Sequence, residues 1–303
     1  MGKMKNALAI DVGGTYLKSA IITSHGTLLK NTFRRVPINS QGTAEEIIQT
    51  FVNVINSALN KAKSLEVEIA GIGIGMPGPF DYKKGISWMK HKFSSIYGLN
   101  LKNELISRLN LKKTLPIKFE NDAWVFLRGE VWRGAARGYN RIVGLTIGTG
   151  LGSAFMVGDE IVTKGPGIPA DAWIGRLPYN DGTVEDRVSR RGIIARYREL
   201  VGNTYSGEDV KEIALKGLKK GDKNSLKVFR EIGIILAEVL TPILSDFRAE
   251  CLVFGGQISK SFSLFENPLK QLLKKVPTLK KITRARFIDL SPLYGAAKLI
   301  FSS

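Results

Sequence analysis

The sequence predicts an α/β protein made of two domains of the same fold. The length of 303 residues suits about two domains. Short apolar runs alternate with segments of helical periodicity, as in α/β proteins. The heptapeptides GTYLKSA at 14–20 and GTGLGSA at 148–154 are identical at five of seven positions. An apolar strand precedes each copy and a strand follows it. We therefore expect two copies of one strand–turn–strand unit, in two domains that face each other across a cleft.

The first half of the chain alternates between extended and helical patterns. Thr43 and Glu46 have the spacing of a capping box, and the apolar residues after them recur at helical intervals. The elements expected in this half are strands at 7–10 and 16–22, a turn at 24–26, an extended segment at 27–31, a helix from 43, a strand at 69–75, a helix at 101–109, a strand at 117–119 and a helix ending near 132.

The second half repeats this plan. Pro242 is expected to kink or shorten the helix that contains it. The elements expected here are strands at 141–147 and 153–157 around a glycine-rich turn, a tight hairpin at 158–159, helices at 184–200, 207–218 and 224–247, strands at 252–254 and 285–290, and a helix at 292–301.

The composition excludes several classes of protein. Cys251 is the single cysteine, and His25 and His91 are the two histidines, so neither a disulfide framework nor a Cys- or His-rich zinc site is expected. No apolar run reaches the length of a transmembrane helix. The basic N-terminal stretch leads into a short strand-like segment, which is unlike a signal peptide. A cytoplasmic protein without a membrane partner is expected.

The chain is basic, with 45 Lys and Arg against 27 Asp and Glu, a formal net charge of +18. Such a surface attracts nucleic acid, anionic lipid or phosphorylated ligands. The lysines are scattered or paired, as in Lys112-Lys113, and form no tight block. This favours a solvated basic surface without a specific nucleic-acid partner, and a nonspecific polyanion binder remains an alternative.

The repeated turns have the chemistry of phosphate loops. Glycine lets a ligand approach the backbone closely, and successive N–H groups bind phosphate oxygens. Thr15 and Thr149 add hydroxyl donors, and Asp11, at the end of the first strand, suits Mg²⁺ held through water. Two such loops would grip a polyphosphate between them. Neither the Walker-type loop nor the dinucleotide fingerprint is present.

Six short motifs follow one another along the chain: DVGGT at 11–15, GIGMPGP at 73–79, ENDA at 120–123, GTGLG at 148–152, FGG at 254–256 and GAA at 295–297. In this order they resemble the ROK family (repressors, open reading frames, kinases) of the actin-like ATPase superfamily, over about residues 7–300. The resemblance implies a two-domain actin-like, ribonuclease H-like fold. The domains would be residues 1–116, with a C-terminal helix at 290–303 packing back on them, and 117–289.

The family consists mainly of ATP-dependent sugar kinases and sugar-responsive repressors. The resemblance implies that Asp122 is the general base on the sugar hydroxyl, and that Asn121 and Gly78 contact the sugar. A carboxylate suits this role because a sugar hydroxyl is a poor nucleophile until its proton is accepted. A plain helix cap at Asn121-Asp122 is the alternative. The residues implied for ATP and Mg²⁺ are Asp11, Gly13, Gly14, Thr15, Gly148, Thr149 and Gly150, with Gly255 and Gly256 at the edge of the adenosine site.

The sequence departs from the family pattern after the second loop. Most ROK kinases carry Glu-x-Gly-His there, followed by a cysteine-rich zinc loop. Here Trp173 replaces the Glu, Arg176 replaces the His, and the zinc loop is missing before Glu185, which matches a glutamate that approaches the sugar. No zinc site is expected. Trp173 would stack on a sugar ring with Arg176 donating hydrogen bonds, or Trp173 fills the core where the loop is missing.

These observations predict ATP- and Mg²⁺-dependent phosphorylation of a hexose or aminosugar, with Asp122 as base. The altered pocket leaves three alternatives: a different sugar, a weaker or broader hexokinase, or a noncatalytic protein that binds sugar or nucleotide. A DNA-binding repressor is not expected, because only ten residues precede Asp11 and a helix-turn-helix would need more. Relatives are commonly dimers or tetramers, so a homodimer is an expectation.

Overall fold

The computed structural model describes residues 5–112 and 114–302. Residues 1–4 of the basic N-terminal stretch, Lys113 of one lysine pair, and Ser303 lie outside the described residues. The chain forms two compact units. The first runs up to Arg133 and includes the residues from Leu290 on, and the second is Gly134–Asp289.

The first unit is a five-stranded mixed sheet with helices. Its elements are β1 (Asn6–Val12), β2 (Tyr16–Thr23), β3 (Arg34–Pro37), α1 (Ala44–Ser64), β4 (Ile69–Met76), a hairpin of β5 (Phe80–Asp81) and β6 (Ile86–Ser87), α2 (Leu101–Arg108), β7 (Ile117–Asn121), α3 (Asp122–Trp132) and α9 (Ser291–Phe301). The strand order is β3-β2-β1-β4-β7, with β1, β4 and β7 parallel and β2 antiparallel to both of its neighbours.

The second unit has a sheet of the same kind. Its elements are β8 (Arg141–Ile147), β9 (Leu151–Val157), β10 (Glu160–Ile161), a hairpin of β11 (Pro178–Tyr179) and β12 (Gly182–Thr183), α4 (Val184–Val188), α5 (Arg190–Val201), α6 (Val210–Lys220), α7 (Lys223–Asp246), β13 (Cys251–Gly255), α8 (Phe262–Leu273) and β14 (Lys281–Arg284). The strand order is β10-β9-β8-β13-β14, with β8, β13 and β14 parallel.

The two sheets share one topology. In each, an antiparallel hairpin lies beside two further strands that run parallel to its first strand. The hairpins that carry the repeated turns close with the pairs Val12–Leu17 and Ile147–Leu151, so the first turn is one residue longer than the second. The duplication predicted from two heptapeptides is therefore a duplication of the whole sheet.

The boundary between the units lies farther along the chain than the sequence predicts. The expected boundary after residue 116 assigned β7 and α3 to the second domain. In the structure β7 pairs in parallel with β4, and the first unit continues to Arg133. The reason is the strand order, because β7 supplies the edge strand that completes the first sheet.

Helix α9 belongs to the first unit because glycines let it approach α3 and β4 closely. A Cβ on Gly295 would lie 1.7 Å from the carbonyl oxygen of Val125, and a Cβ on Gly129 would lie 1.9 Å from that of Ser291. The Ser291 hydroxyl also donates a hydrogen bond to the buried Glu130 carboxylate. Backbone therefore contacts backbone along this helix pair.

Helix α1 begins as the capping box predicts. The Thr43 hydroxyl accepts from the amide of Glu46 at 3.2 Å, and the Glu46 carboxylate accepts from the amide of Thr43 at 2.8 Å. One face of the helix is buried, formed by Ile47, Ile48, Phe51, Val52, Val54, Ile55, Ala58 and Ala62.

Several predicted elements are wrong. The segment at 27–31, expected to be extended, forms only one isolated bridge, between Leu28 and Ile22. The next strand along the chain is β3. Ser189 splits the helix expected at 184–200 into α4 and α5. Pro242 does not shorten α7, which continues to Asp246. The last strand lies at β14 rather than at 285–290. Strand β14 has a charged residue at each end and gives little apolar signal.

Among the residues that the structure describes, no helix is both long enough and apolar enough to cross a membrane.

Candidate functional site

The first glycine turn is an exposed loop between β1 and β2. The amide of Gly13 donates to the carbonyl of Tyr16 at 2.9 Å, and the carbonyl of Thr15 accepts from Ile38 at 2.9 Å. A Cβ on Gly14 would meet nothing within 4 Å. The loop is thus anchored at both ends, with open space at its tip.

Asp11 lies beside this loop at the end of β1. Its carboxylate oxygen is 3.6 Å from the ammonium of Lys18, its partner across the β1–β2 ladder. Both side chains are mostly buried, with 14% and 16% exposed. A carboxylate held in this way is a hard oxygen donor of the kind Mg²⁺ prefers.

The second glycine turn has a comparable loop between β8 and β9. The amide of Gly148 donates to the carbonyl of Gly150, and the amide of Arg190 donates to the carbonyl of Gly148, both at 2.9 Å. Thr149 is exposed, and a Cβ on Gly148 would meet nothing within 4 Å. The helix break at Ser189 explains the Arg190 contact, because it frees that amide to reach the loop.

The Glu185 side chain stabilises the second loop through a hydrogen bond to its backbone. Its Oε2 accepts from the amide of Leu151 at 2.8 Å, and its Oε1 lies 3.5 Å from the guanidinium of Arg191. A Cβ on Gly150 would lie 2.7 Å from the same Oε2, which explains why glycine occupies this position. The family resemblance implies that Glu185 approaches the sugar, and in the structure its carboxylate contacts the backbone of the loop.

Gly255 and Gly256 lie beside the base of the second loop. Gly255 ends β13 and pairs with Thr146 of β8. Gly256 has a φ of 79°, and its Cβ would lie 2.3 Å from the carbonyl oxygen of Ile147. Only glycine fits this close approach in a left-handed conformation.

Asp122 begins α3 directly after β7. The amide of Ala123 donates to Asn121 Oδ1 and to Asp122 Oδ1, each at 2.9 Å. The first turn of a helix favours an ionised carboxylate. Glu120 forms a two-pronged ion pair with Arg128, at 2.6 and 2.9 Å, which ties the end of β7 to α3. The Asp122 carboxylate therefore has a fixed position.

The surroundings of Asp122 make it a better proton acceptor. Burial raises the pKa of the Asp122 carboxyl above its ordinary value, and the Lys92 ammonium and the Ala123 amide oppose this rise. A raised pKa increases the basicity of the ionised carboxylate. A more basic carboxylate is better suited to accept a proton from a substrate hydroxyl.

Tyr82 is a further candidate site residue, which the sequence analysis does not include. The side-chain amide of Asn121 donates to its hydroxyl oxygen at 3.1 Å, and a Cβ on Gly78 would lie 3.1 Å from that oxygen. Burial raises the pKa of Tyr82, so the hydroxyl stays protonated. The aromatic pair Phe80 and Tyr82, directly after the Pro-Gly turn, was the available signal.

Trp173 lies between two short 3₁₀ turns, Ala170–Ala172 and Ile174–Arg176, and Arg176 is the last residue of the second turn. The indole of Trp173 donates to the carbonyl of Leu151 at 2.7 Å, and the guanidinium of Arg176 lies 4.2 Å from the indole centroid. Ser153 also ties this segment to β9 through Ala172 and Ile174. The half-buried Trp173 is thus a support of the second loop's strand, and Arg176 is exposed.

The short β11–β12 hairpin occupies the sequence position of the missing zinc loop. The Tyr179 hydroxyl donates to Glu238 of α7 at 2.7 Å, and Arg187 pairs with Asp181. Within 5–112 and 114–302, no group of three or more His, Cys, Asp or Glu side chains could hold a metal ion.

In each unit the candidate residues gather at one edge of the sheet. In the first unit, Asp11, Gly75 and Glu120 lie in register across the carboxyl ends of β1, β4 and β7, and the Gly78 turn and Asn121-Asp122 follow two of these strands. In the second unit, the loop at 148–150 and the glycines at 255–256 follow the ends of β8 and β13. Ligands of α/β proteins bind at this edge.

Known proteins are similar to this chain over nearly its whole length. The family model described as "ROK family" matches residues 7–302. A glucokinase of Thermotoga maritima is 25% identical, over 99% of this chain and 98% of its own. An N-acetyl-D-glucosamine kinase of Haemophilus influenzae is 25% identical, over 97% and 98%. A xylose repressor of Caldicellulosiruptor bescii is 22% identical over 97% of this chain and 78% of its own.

Solved structures share the fold. A ROK family glucokinase of Streptomyces griseus, in complex with glucose and AMPPNP, matches with a TM-score of 0.77 and 21% identity, over 98% of this chain and 100% of its own. The expected α/β, actin-like ATPase fold is confirmed.

Proposed function

Since the chain belongs to the ROK family, we propose that it is a sugar kinase that transfers the γ-phosphoryl group of ATP to a sugar hydroxyl. The observation that carries the proposal is Asp122, a fixed carboxylate of raised pKa beside Asn121 at the carboxyl edge of the first sheet. The glucokinase and N-acetylglucosamine kinase relatives support the same activity.

Asp122 would act as general base. Its carboxylate accepts the proton of the sugar hydroxyl as the hydroxyl oxygen forms a bond to the γ-phosphorus. The bond from that phosphorus to the bridging oxygen breaks, and ADP leaves. Asn121, Gly78 and Tyr82 orient the sugar, and positioning of this kind supplies much of the rate enhancement in phosphoryl transfer.

The glycine loops would bind the nucleotide. Both loops present exposed backbone with open space at Gly14 and Gly148, where phosphate oxygens fit against N–H groups. Gly255 and Gly256 would border the adenosine. Asp11 would hold Mg²⁺ through water, and when bound the ion neutralises phosphate charge.

We propose a hexose or aminosugar as the substrate. Arg176 is exposed and can donate hydrogen bonds to sugar hydroxyls. The indole N–H of Trp173 donates to the carbonyl of Leu151, and the Arg176 guanidinium packs on one face of the ring. We therefore assign Trp173 to supporting the loop.

An ADP-release screen against hexoses, N-acetylated hexosamines and their glycosides tests the proposal. The expected result is ADP formation that depends on one sugar class and is lost in the Asp122→Asn variant. No ADP with any sugar, although ATP binds, would contradict it and favour the second candidate function, a noncatalytic sugar- or nucleotide-binding protein. The similarity to a xylose repressor is the observation behind that alternative.

Replacing Tyr82 by Phe should weaken sugar binding. The change removes the hydroxyl that accepts a hydrogen bond from the Asn121 amide. Loss of this hydrogen bond costs about 1 kcal/mol, so KM for the sugar should rise about fivefold. We expect kcat to change much less, because the Asp122 contacts remain. Steady-state kinetics with the sugar varied measures both constants. Tyr205→Phe, which loses a hydroxyl bond to Glu208 in the second unit, is the control. A lowered kcat at unchanged KM would contradict this role.

Replacing Glu185 by Ala should weaken ATP binding. The Leu151 amide would lose its charged acceptor, which loosens the loop at 148–150 and raises KM for ATP about tenfold. Glu185→Gln keeps an acceptor oxygen and should lie close to the wild type. Varying ATP and sugar separately distinguishes a role of Glu185 in the loop from a role in sugar binding. A rise confined to KM for the sugar would show that Glu185 contacts the sugar instead.

The purified protein should contain no stoichiometric zinc. The hairpin of β11 and β12 is fastened by Tyr179–Glu238 and Arg187–Asp181 rather than by thiolates. Elemental analysis measures the metal content, and thermal melts with and without a zinc chelator measure its effect on Tm, which should be nil. About one zinc per chain, or a chelator-dependent fall in Tm, would show that a zinc site exists.

A further inference from the structure

Two large aromatic side chains are exposed beside the turn that carries Gly78. Trp88 follows β6 and is 43% exposed, and Tyr97 is 48% exposed. Their ring centroids are 5.4 Å apart and the rings meet edge to face at 74°. The ammonium of Lys90 lies 5.6 Å from the Tyr97 ring. We call Trp88 and Tyr97 the aromatic platform.

The backbone under the platform is rigidly tied to the candidate sugar site. The amide of Trp88 donates to the carbonyl of Pro79 at 3.0 Å, so it is fastened to the Gly78-Pro79 turn. Ser87 accepts from Gly98 at 2.7 Å and donates to Leu99 at 3.2 Å, which fixes Tyr97 beside Trp88. The backbone that carries the two rings is therefore tied to neighbouring segments and is not a loose loop.

The segment that follows Trp88 also carries a charge that acts on Asp122. The Lys92 ammonium interacts electrostatically with the Asp122 carboxylate. Lys92 is four residues beyond Trp88, a backbone distance of at most about 14 Å when extended. Four residues therefore separate Trp88 from a side chain whose charge acts on the proposed base.

An exposed aromatic pair of this kind fits a sugar ring. The faces of Trp and Tyr bind apolar C–H surface, while their polar tips and Lys90 can bond to hydroxyl groups. Lys83, Lys84 and His91 are exposed in the same stretch of chain as Trp88, so this stretch does not form a broad apolar surface of the kind that binds proteins.

We propose that the aromatic platform binds a second sugar ring, so that the substrate class is a disaccharide or glycoside whose other ring is phosphorylated. This inference rests on the proposed kinase function and names its substrate class. Trp88 contributes stacking and Tyr97 orients the ring at its edge. Truncating Trp88 therefore affects the two-ring substrate and spares the single sugar.

The test compares kcat/KM for the single sugar and for its disaccharides and aryl glycosides in wild type, Trp88→Ala, Trp88→Phe and Tyr97→Ala. Leu65→Ala, an exposed apolar side chain elsewhere in the first unit, is the control. For the best two-ring substrate we expect a loss of up to about tenfold in Trp88→Ala, the upper end of the range for aromatic stacking, and recovery in Trp88→Phe. The single sugar should change less than about twofold, because Gly78, Asn121 and Asp122 are untouched.

Calorimetric titration of the same sugars without ATP separates this proposal from the proposed function. If no sugar yields ADP but the two-ring ligand binds in a Trp88-dependent way, the kinase assignment fails and the platform stands. If the single sugar is phosphorylated and two-ring compounds gain nothing from Trp88, the platform proposal is overturned. A change of oligomeric state in Trp88→Ala, measured by light scattering, would overturn it in favour of contact with a second copy.

Discussion

The Asp122→Asn variant should lose turnover while sugar binding survives. A positioned general base contributes about 10²–10⁴ in rate, so kcat should fall by at least two orders of magnitude. Asparagine keeps the shape of the side chain and an oxygen that accepts from Ala123, so the start of α3 and the Asn121 contacts remain. Kinetics and calorimetric sugar titration measure the two effects separately.

Asp81→Asn is the matched control, because Asp81 is an acidic residue of the same unit whose side chain accepts from the Lys84 amide on the hairpin. It should keep near-normal kcat. An Asp122→Asn variant with near-normal kcat would show that another group accepts the proton. Loss of sugar binding along with turnover would show that Asp122 mainly positions the sugar.

The same substitution should make the protein more stable at neutral pH. The folded pKa of Asp122 is raised, so ionisation costs folding free energy, and the contribution of this group to stability is lost as pH rises through the raised pKa. Asparagine does not ionise. The Tm difference in favour of Asp122→Asn should therefore be small in acid and grow toward neutral pH, as thermal melts at several pH values would show.

The Gly295→Ala variant should be strongly destabilised. The added methyl carbon would lie 1.7 Å from the carbonyl oxygen of Val125, and backbone atoms cannot move aside as a flexible side chain can. Helices α3 and α9 would have to separate, which opens the contacts at Gly129 and at Glu130–Ser291. We expect a loss of about 3 kcal/mol, the upper range for overpacking, measured by denaturant unfolding.

Gly148→Ala is the control for this prediction, because a Cβ there would meet nothing within 4 Å and the stability should stay close to wild type. At position 295, which lies within helix α9, alanine has a higher helix propensity than glycine by about 1 kcal/mol. If the helices were loosely packed, Gly295→Ala would therefore be neutral or stabilising, and that result would contradict the close approach.

Much of the site could be predicted because it lies in short local motifs. The glycine turns, Asn121-Asp122 and the glycines at 255–256 all follow apolar strands, and parallel strands bring their carboxyl ends together. The repeated heptapeptide predicted the duplicated sheet for the same reason. The residues next to each other in the sequence are enough to show where a strand ends and where the backbone requires a glycine.

The remaining features depend on contacts between distant segments. Nothing local shows that the Glu185 carboxylate accepts from Leu151, or that the Tyr82 hydroxyl accepts from Asn121. The assignment of β7 to the first sheet depends on its pairing with β4, not on its own residues. The edge strands β3 and β14 are charged, so they lack the apolar pattern on which strand prediction relies.

The most direct test of the kinase assignment follows the γ-phosphate itself. With ATP labelled at the γ-position and the sugar identified by the ADP screen, the wild type should place the label on the sugar in a stable phosphate ester, in step with ADP formation. Asp122→Asn should place almost none there. If wild-type protein binds both ATP and the sugar, yet the label stays on ATP or appears only as inorganic phosphate, the protein is not a sugar kinase.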